Sequence, residues 1–324
     1  MKLETEEDSN EWLEAAKALA VVSAWSALGL FERLQAGPVA PAELPADARA
    51  VATTLPVLLH IGLVTTDGDR VALTARGARL LADRAMPTER SLGMLRDLSR
   101  MGDVLRDGGP VRDDAGKSKG TRGGTLSDDV EHTARFLDML YRSSEQPARS
   151  TLAWLAPGLP ARASILDLGG GHGRYARAFA DAGYDVTLFD QPIVVDLAKK
   201  RHGDVLRYIA GDFHRAETFG GPYDLVLLCN IVHGESTEAN ASIIARAAQS
   251  LRAGGRIAIR DMMLDEQQQA PASAVFFGLT MLFYTEEGTS PTVSRIRGWY
   301  EKAGLRDFRL IVDDRHQIAL ATKG

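Results

Sequence analysis

Four glycines that follow an aspartate are the residues of this sequence best suited to binding a cofactor. Asp167 precedes glycines at positions 169, 170, 171 and 173. The apolar residues of 165–168 predict the end of a buried strand, and 174–182 have the apolar spacing of a helix. Glycine lets the backbone approach a ligand closely, and a helix N-terminus offers free N–H groups. The sequence therefore predicts a site for a nucleotide-like cofactor.

Two cofactors fit the spacing of this segment. Gly171, Gly173 and Ala176 match a dinucleotide fingerprint loosely, with Asp190 at a suitable distance downstream. The series Asp167, Gly169, Gly171 and Gly173 better matches the motif of enzymes that use S-adenosylmethionine (SAM), whose ammonium and sulfonium groups suit a nearby acid. On the glycine segment alone both cofactors stay open.

Further predicted strands in the C-terminal half also end on polar residues. They end at Asp190, at Asp212 and in the segment from Asn230 to His233, and residues 251–259 predict a helix end, a turn and a fifth strand. In order and spacing these segments resemble the class I SAM-dependent methyltransferases. More narrowly, they resemble the small-molecule O-methyltransferase family of plants and bacterial natural-product pathways. The resemblance covers nearly the whole chain, including the N-terminal region.

The resemblance implies a SAM site at the carboxyl ends of these strands, where ligands of open α/β sheets bind. Asp190 would accept hydrogen bonds from both ribose hydroxyls, Asp212 would accept from the adenine amino group, and Phe213 would pack on the ring. Asn230 would reach the amino acid end of the cofactor. The predicted cofactor ligands are Asp167, Gly169, Gly171, Asp190, Gln191, Asp212, Phe213 and Asn230. No metal site is predicted.

His233 is the candidate catalytic residue. Plant members of the family have a His-Asp motif after the fourth strand, and its histidine removes the proton of the acceptor hydroxyl. A neutral imidazole can take that proton near pH 7. His233 matches the position of this base. Its other possible role is that of a pocket wall or hydrogen-bond donor.

The sequence departs from the family pattern around this histidine. Gly234 stands where the aspartate follows the base, and Cys229 stands where the family has a lysine near the cofactor. The Glu-Arg-Thr motif whose glutamate orients the base is replaced by residues 290–292, of which Ser290 and Pro291 predict a helix N-cap and first turn. Glu235 is the sequence's candidate for the missing carboxylate.

Composition favours an ordinary soluble globular protein. The chain has 324 residues, of which 45% are hydrophobic and 25% charged, and a net charge of −5. Its single cysteine excludes an internal disulfide. The acidic N-terminus lacks the basic region of a secretory signal, and the uncharged run 18–31 is shorter than the ~20 residues of a membrane span. We therefore expect a cytoplasmic protein that binds no membrane.

The N-terminal region predicts a winged helix. Helices are expected over 11–35, 41–44 and 48–62, the last with Asp47 as N-cap, followed by a hairpin over 64–73 and a helix capped by Thr74. The apolar face of 11–35 requires burial in its own domain or against a partner.

A winged helix raises DNA binding as an alternative function. Residues 1–100 carry 11 Lys and Arg against 14 Asp and Glu, a net charge of −3. Because phosphate contacts dominate DNA affinity, this charge disfavours a DNA-binding regulator. In the O-methyltransferase family the same region is a dimerisation domain whose helices close the partner's substrate pocket.

Residues 101–129 predict a long loop, and a helix beginning at Asp128 or Asp129 and ending near Leu155 should link the two halves. Strands and helices alternate from 162, and the last two strands, 307–312 and 317–321, predict an antiparallel hairpin. Such a hairpin is usual in class I methyltransferases.

The sequence thus predicts an α/β protein with a Rossmann-like, doubly wound sheet that follows a mostly helical, winged-helix-like domain. The expected domains are 1–100 for dimerisation, 101–160 for the linker and 161–324 for SAM. The expected homodimer methylates a small aromatic or polyketide-like acceptor in secondary metabolism, at oxygen. The aromatic segment 276–284 suits such a flat acceptor. The alternatives are C- or N-methylation and a SAM-binding relative with altered chemistry.

Overall fold

The structure is a computed structural model that describes residues 3–83, 85–119, 130–313 and 316–324. The chain divides into two compact units, Met1–Gly102 and Asp103–Gly324. The described elements of the first unit are α1 (Glu6–Ala27), α2 (Leu30–Gln35), α3 (Ala48–His60), β1 (Val64–Asp67), β2 (Arg70–Leu73), α4 (Ala75–Ala82) and α5 (Glu89–Leu98). The short helix α6 (Met101–Asp107) crosses the boundary between the units.

Local capping explains where the N-terminal helices begin and end. Asp47 accepts a hydrogen bond from Ala50 N, and Thr74 accepts one from Gly77 N, so both predicted N-caps are confirmed. The single helix predicted over 11–35 is wrong, because α1 ends at Ala27 and α2 begins at Leu30. Gly29 separates them with a φ of 67°, a left-handed conformation that glycine adopts without steric cost.

The second unit alternates strands and helices from residue 164 onward. Its further elements are α7 (Val130–Ser143), α8 (Glu145–Leu155), β3 (Ser164–Leu168), α9 (Arg174–Asp181), β4 (Asp185–Asp190), α10 (Pro192–His202), β5 (Arg207–Ala210), β6 (Tyr223–Cys229), α11 (Thr237–Gln249), β7 (Leu251–Asp261), α12 (Ala272–Tyr284), α13 (Val293–Lys302), β8 (Leu305–Asp313) and β9 (His316–Lys323).

Among the described residues, seven strands form one sheet in the order β5-β4-β3-β6-β7-β9-β8. The first five strands of that order are parallel, and β9 pairs antiparallel with both β7 and β8. The predicted doubly wound sheet and its C-terminal hairpin are therefore confirmed. The strand order reverses between β3 and β6, so a crevice for ligands is expected at the carboxyl ends of these two strands.

Three predictions around the sheet need correction. The loop predicted over 101–129 contains α6, while its residues 120–129 lie outside the described chain, as does the predicted helix start at Asp128 or Asp129. The linking helix is interrupted at Ser144, which separates α7 from α8. The N-cap of α13 is Thr292, which accepts from Arg295 N, whereas Ser290 donates its hydroxyl to Ala274 O.

Candidate active site

The glycine loop joins β3 to α9 at the point where the strand order reverses. Gly169, Gly171 and Gly173 all have left-handed φ angles, of 71°, 53° and 71°. A methyl group added to Gly169 would lie 2.5 Å from Ile231 Cδ1, which follows β6. The side chain of Ile231 therefore covers Gly169, and a side chain at position 169 would have to displace it.

Asp167 is buried under this loop, with 1% of its surface exposed. Its Oδ2 accepts a hydrogen bond from Ala176 N at 3.1 Å, while Oδ1 is buried and has no hydrogen-bond partner among the described residues. Burial raises the pKa of Asp167 to about 7. The carboxylate thus fastens the first turn of α9 and keeps one acceptor oxygen for a donor that the described chain does not supply.

Asp190 ends β4 and holds the glycine loop from the neighbouring strand. Its Oδ2 accepts from Gly171 N at 2.8 Å and its Oδ1 accepts from Gln191 N at 2.7 Å. Burial raises the pKa of Asp190 to about 6, with these two backbone donors acting in the opposite direction. Each oxygen of an ionised carboxylate retains a second lone pair for a further donor.

Asp212 and Phe213 follow β5 beside the same loop. Asp212 lines a cavity of about 390 Å³ together with Gln191, His214 and Glu235. Phe213 Cε1 would lie 3.6 Å from a methyl group on Gly169, so its ring borders the glycine loop. An acceptor and a flat apolar ring are therefore adjacent at this end of the site, as an adenine-like base requires.

Asn230 follows β6 on the other side of the glycine loop. Its backbone has a φ of 59°, a left-handed conformation that asparagine tolerates better than most residues. Its N–H donates to Arg260 O at 2.8 Å, and its side-chain Nδ2 lies 3.5 Å from Tyr175 Oη. The structure thus brings the segments that carry the predicted cofactor ligands to one edge of the sheet.

His233 lies in a short 3₁₀ turn after β6 and contacts a carboxylate that the sequence interpretation missed. Its Nδ1 lies 2.7 Å from Oδ1 of Asp261, which ends β7 and is fully buried. The backbone N–H of His233 donates to the other oxygen of the same carboxylate, Asp261 Oδ2, at 3.3 Å. Because a carboxylate accepts only, Nδ1 carries the proton and Nε2 keeps a free lone pair.

Glu235, the candidate for the missing carboxylate, has another partner. Its Oε2 lies 3.3 Å from His214 Nε2, and burial is the main cause that raises the pKa of Glu235. The carboxylate in contact with the His233 ring is therefore that of Asp261. A signal for it was present in the sequence, since Asp261 lies two residues after Ile259, the last residue of the predicted fifth strand, and parallel strands end at the same edge of a sheet.

The ring of His233 also contacts the aromatic helix α12. The His233 and Phe277 rings lie 4.8 Å apart at 90°, an edge-to-face contact. Phe276 and Leu279 of the same helix are exposed. The ring of Phe277 therefore places an apolar surface beside the imidazole, against which a flat apolar molecule could pack.

These residues fit the cofactor that the glycine segment predicts. The oxygen of Asp167 that has no partner among the described residues and the carboxylate of Asp190 provide acceptors, and the nearest side-chain atom to a methyl group on Gly171 would lie 3.7 Å away, so a nucleoside with an amino acid tail could approach the loop there. Among the described residues there is no group of three His, Cys, Asp or Glu side chains able to hold a metal ion. In the same part of the chain no helix is long and apolar enough to cross a membrane.

Comparison with known proteins gives consistent results. The sequence matches a family model described as an O-methyltransferase domain over residues 110–306. Bovine acetylserotonin O-methyltransferase is 31% identical over 150 residues, which are 45% of this chain and 43% of that protein. The tetracenomycin polyketide synthesis 8-O-methyl transferase TcmO of Streptomyces glaucescens is 28% identical over 156 residues, 45% of this chain and 44% of TcmO. The aligned regions span less than half the length of these curated relatives.

Solved structures share the fold over the whole chain. Human N-acetylserotonin methyltransferase in complex with SAM has a TM-score of 0.81 at 23% identity, with 100% of this chain and 99% of that chain covered. An O-methyltransferase family protein from Burkholderia thailandensis has a TM-score of 0.83 at 23% identity and the same coverage. The predicted Rossmann-like fold is therefore confirmed.

Proposed function

Because the chain belongs to the O-methyltransferase family, we propose that it transfers the methyl group of SAM to a hydroxyl oxygen of a small aromatic or polyketide-like acceptor. The observation that carries this proposal is the contact between His233 and the buried Asp261. Nδ1 of His233 lies 2.7 Å from Oδ1 of Asp261, at the edge of the sheet that also holds the glycine loop. A histidine with a fixed tautomer and a free Nε2 is suited to removing the proton of a hydroxyl.

Different residues of the chain bind different parts of the cofactor. Asp190 binds the ribose hydroxyls, Asp212 and Gln191 border the adenine, and Phe213 packs against its face. Asp167 and Asn230 lie toward the amino acid end, and Gly171 leaves room for the ligand. When bound, SAM supplies an electrophilic methyl group on its sulfonium. The protein's task is then to orient the acceptor oxygen in line with that group and to exclude water.

His233 prepares the acceptor for this displacement. A neutral phenol or alcohol is a weak nucleophile, so the loss of its proton to Nε2 raises the electron density on oxygen as the new bond forms. The resulting imidazolium is stabilised by Asp261, whose carboxylate holds the ring through Nδ1. Asp261 thus acts through His233, as a positioning residue.

The acceptor class follows from the surface beside His233. Phe277 contacts the imidazole edge-to-face, and the exposed Phe276 lies one residue before it in α12. Aromatic side chains bind flat rings well, since offset and edge-to-face contacts add to the burial of apolar surface. The printed names of the relatives, acetylserotonin and tetracenomycin polyketide methyltransferases, support a hydroxylated aromatic acceptor and a role in secondary metabolism.

A labelled cofactor tests the proposed reaction. The protein is incubated with trideuteromethyl SAM and a panel of flat phenols, and the products are analysed by mass spectrometry and NMR. We expect one trideuteromethyl group on an oxygen of at least one phenol. Label on carbon or nitrogen would contradict O-methylation, and calorimetry that finds NADH bound but no S-adenosylhomocysteine would contradict the family chemistry as a whole.

We further propose that residues 1–100 form a winged-helix-like dimerisation domain, that 101–160 link it to the catalytic part, and that 161–324 bind SAM. Exposed apolar side chains on α1 and at its C-cap support the dimer. Trp12 and Leu13 on α1 and Leu28 at its C-cap all lie at the surface of the chain. Such exposed residues on one segment mark an interaction surface.

The mass in solution tests the dimer. Light scattering at micromolar concentration should give about twice the 35.0 kDa of the chain. Leu13→Arg should shift the mass toward the monomer, because burying an unpaired charge in the interface costs several kcal/mol. The matched variant Glu14→Arg changes charge at the next exposed position and removes no apolar surface. A wild-type mass near 35.0 kDa would count against the homodimer.

A further inference from the structure

The turn that follows α12, residues 285–289, contacts the backbone of His233. Thr289 donates its N–H to His233 O at 2.8 Å. Gly288 lies against the same carbonyl, since a methyl group added to it would be 2.5 Å from His233 O and 3.2 Å from Gly234 Cα. A side chain at position 288 would therefore have to push the turn and His233 apart.

Thr285 fixes this turn to the end of α12. It is the C-cap of the helix and is buried, with 4% of its surface exposed. Its Oγ1 donates to Met281 O at 2.6 Å and accepts from Gly288 N at 2.9 Å. A methyl group on Gly288 would also lie 2.5 Å from this oxygen. Gly288 is therefore enclosed between the hydroxyl of Thr285 and the carbonyl of His233.

His233 is thus held by two elements of the fold. Asp261 at the end of β7 accepts from the ring and from the backbone N–H. The end of α12 holds the carbonyl through Thr289, and Phe277 of the same helix contacts the ring at 4.8 Å. A general base must lie within hydrogen-bond reach of the proton that it removes, and a misplacement of about 1 Å can cost ~10²-fold in rate. The position of Nε2 therefore depends on the turn as well as on Asp261.

The turn directly precedes residues 290–292, which replace the Glu-Arg-Thr motif of the family. The resemblance assigns the orientation of the base to the glutamate side chain of that motif. In this chain the residue at the glutamate position, Ser290, is buried and donates its hydroxyl to Ala274 O at 2.8 Å. The segment instead contacts His233 through the backbone of Gly288 and Thr289.

We propose that Gly288 is a positioning residue of the methyl transfer. Because it has no side chain, the turn after α12 can approach the carbonyl of His233 and thereby fix Nε2 relative to the acceptor. The same contact keeps a constant spacing between the base and the aromatic surface of α12. This inference rests on the proposed function, since the turn has this role only if His233 is the base.

Gly288→Ala tests the proposal in two backgrounds. The added methyl group must displace His233 O or Thr285 Oγ1, so we expect kcat to fall by ~10–100-fold in the otherwise wild-type enzyme. The dissociation constant of S-adenosylhomocysteine should stay within ~2-fold, because the cofactor ligands lie on other segments. In the His233→Ala enzyme the same substitution should lower kcat by less than ~2-fold, since residues that act as a unit are not additive.

Gly298→Ala is the matched control. Gly298 lies in α13, and among the described residues no atom lies within 4 Å of a methyl group added there. It should leave kcat unchanged in both backgrounds, so a general effect of replacing glycine by alanine is measured separately.

A pair of variants at Thr285 carries the test if Gly288→Ala does not fold. Thr285→Val keeps the shape of the side chain but removes the oxygen that accepts from Gly288 N. We expect kcat to fall by ~3–10-fold, the value of about one hydrogen bond. Thr285→Ser restores the hydroxyl and should recover most of the loss. Equal kcat values in Thr285→Val and Thr285→Ser would contradict the proposal.

The remaining outcomes separate this inference from the proposed function. An unchanged kcat in Gly288→Ala, or an equal loss with and without His233, overturns the positioning role and leaves the O-methyl transfer standing. A His233→Ala enzyme that keeps the wild-type kcat overturns the proposed base and this inference together. A wild type that methylates no oxygen overturns the proposed function itself.

Discussion

His233→Ala is expected to lower kcat by ~10²–10⁴, the usual contribution of a general base. The loss follows from geometry, since the Nδ1 contact with Asp261 at 2.7 Å leaves Nε2 as the acceptor of the hydroxyl proton. The dissociation constant of S-adenosylhomocysteine should stay within ~2-fold, because a base that acts in the transition state adds little to ground-state binding. Steady-state kinetics and calorimetry measure the two quantities on the same preparation.

Three companion variants sharpen this result. His233→Gln should lose as much as His233→Ala, because an amide can hydrogen-bond the acceptor but cannot hold its proton. Asp261→Asn should lose less than the histidine variants, since the base remains but its orientation and its positive charge are less well stabilised. The exposed His60 of α3 provides the control, and His60→Ala should retain wild-type kcat. If kcat of His233→Ala falls by less than tenfold, His233 is a pocket residue and not a general base.

Asp190→Ala is expected to weaken S-adenosylhomocysteine by ~100-fold or more. Two hydrogen bonds from ribose hydroxyls to a charged acceptor account for that value at about 1.5–3 kcal/mol each. The variant also removes the oxygen that accepts from Gly171 N at 2.8 Å, so the glycine loop loses an anchor. Calorimetry on Asp190→Ala and on the exposed control Asp204→Asn separates this effect from a change in net charge.

The raised pKa of Asp190 adds a pH dependence to the same experiment. A carboxyl with a pKa of about 6 is largely protonated at pH 5 and ionised at pH 7. Because the ionised form accepts more hydrogen bonds, the affinity should rise as the pH increases from 5 to 7. Asp190→Asn should lose this part of the pH dependence. Wild-type affinity in Asp190→Ala would rule out the ribose assignment.

The position of the candidate cofactor residues at one edge of the sheet was predictable because its signals are local in sequence. Asp167 and the glycines form one continuous segment, and Asp190 closes the next strand. Each position needs a particular residue type, such as glycine for the left-handed φ of 71° at Gly169. Local patterns of this kind predict the strand, the turn and the acid together.

The partner of His233, the candidate base, was missed because it is distant in sequence. His233 and Asp261 are 28 residues apart and meet through the pairing of β6 with β7. Glu235, two residues from the base, was the nearest candidate in sequence, yet it pairs with His214. The sequence shows that the glutamate of the family motif is missing. Which carboxylate contacts His233 in its place depends on the register of the sheet.

Two helix boundaries were predicted wrongly for a related reason. Ser290 and Pro291 have the residue types of an N-cap and first turn, yet Thr292 caps α13 and Ser290 bonds to α12. Both choices satisfy local rules, and the tertiary contact between Ser290 Oγ and Ala274 O decides between them. Gly29 likewise breaks a helix that apolar periodicity alone would continue.

The pH dependence of turnover tests most directly the claim that His233, held by Asp261, is the base of an O-methyl transfer. The wild type, saturated with SAM and a phenol of high pKa, should show kcat rising with pH between about 5 and 8, the range in which histidine changes charge. His233→Ala should lack that rising limb and show a low, flat rate. If wild type and variant share one profile and one rate, His233 takes no proton and the proposed mechanism is wrong.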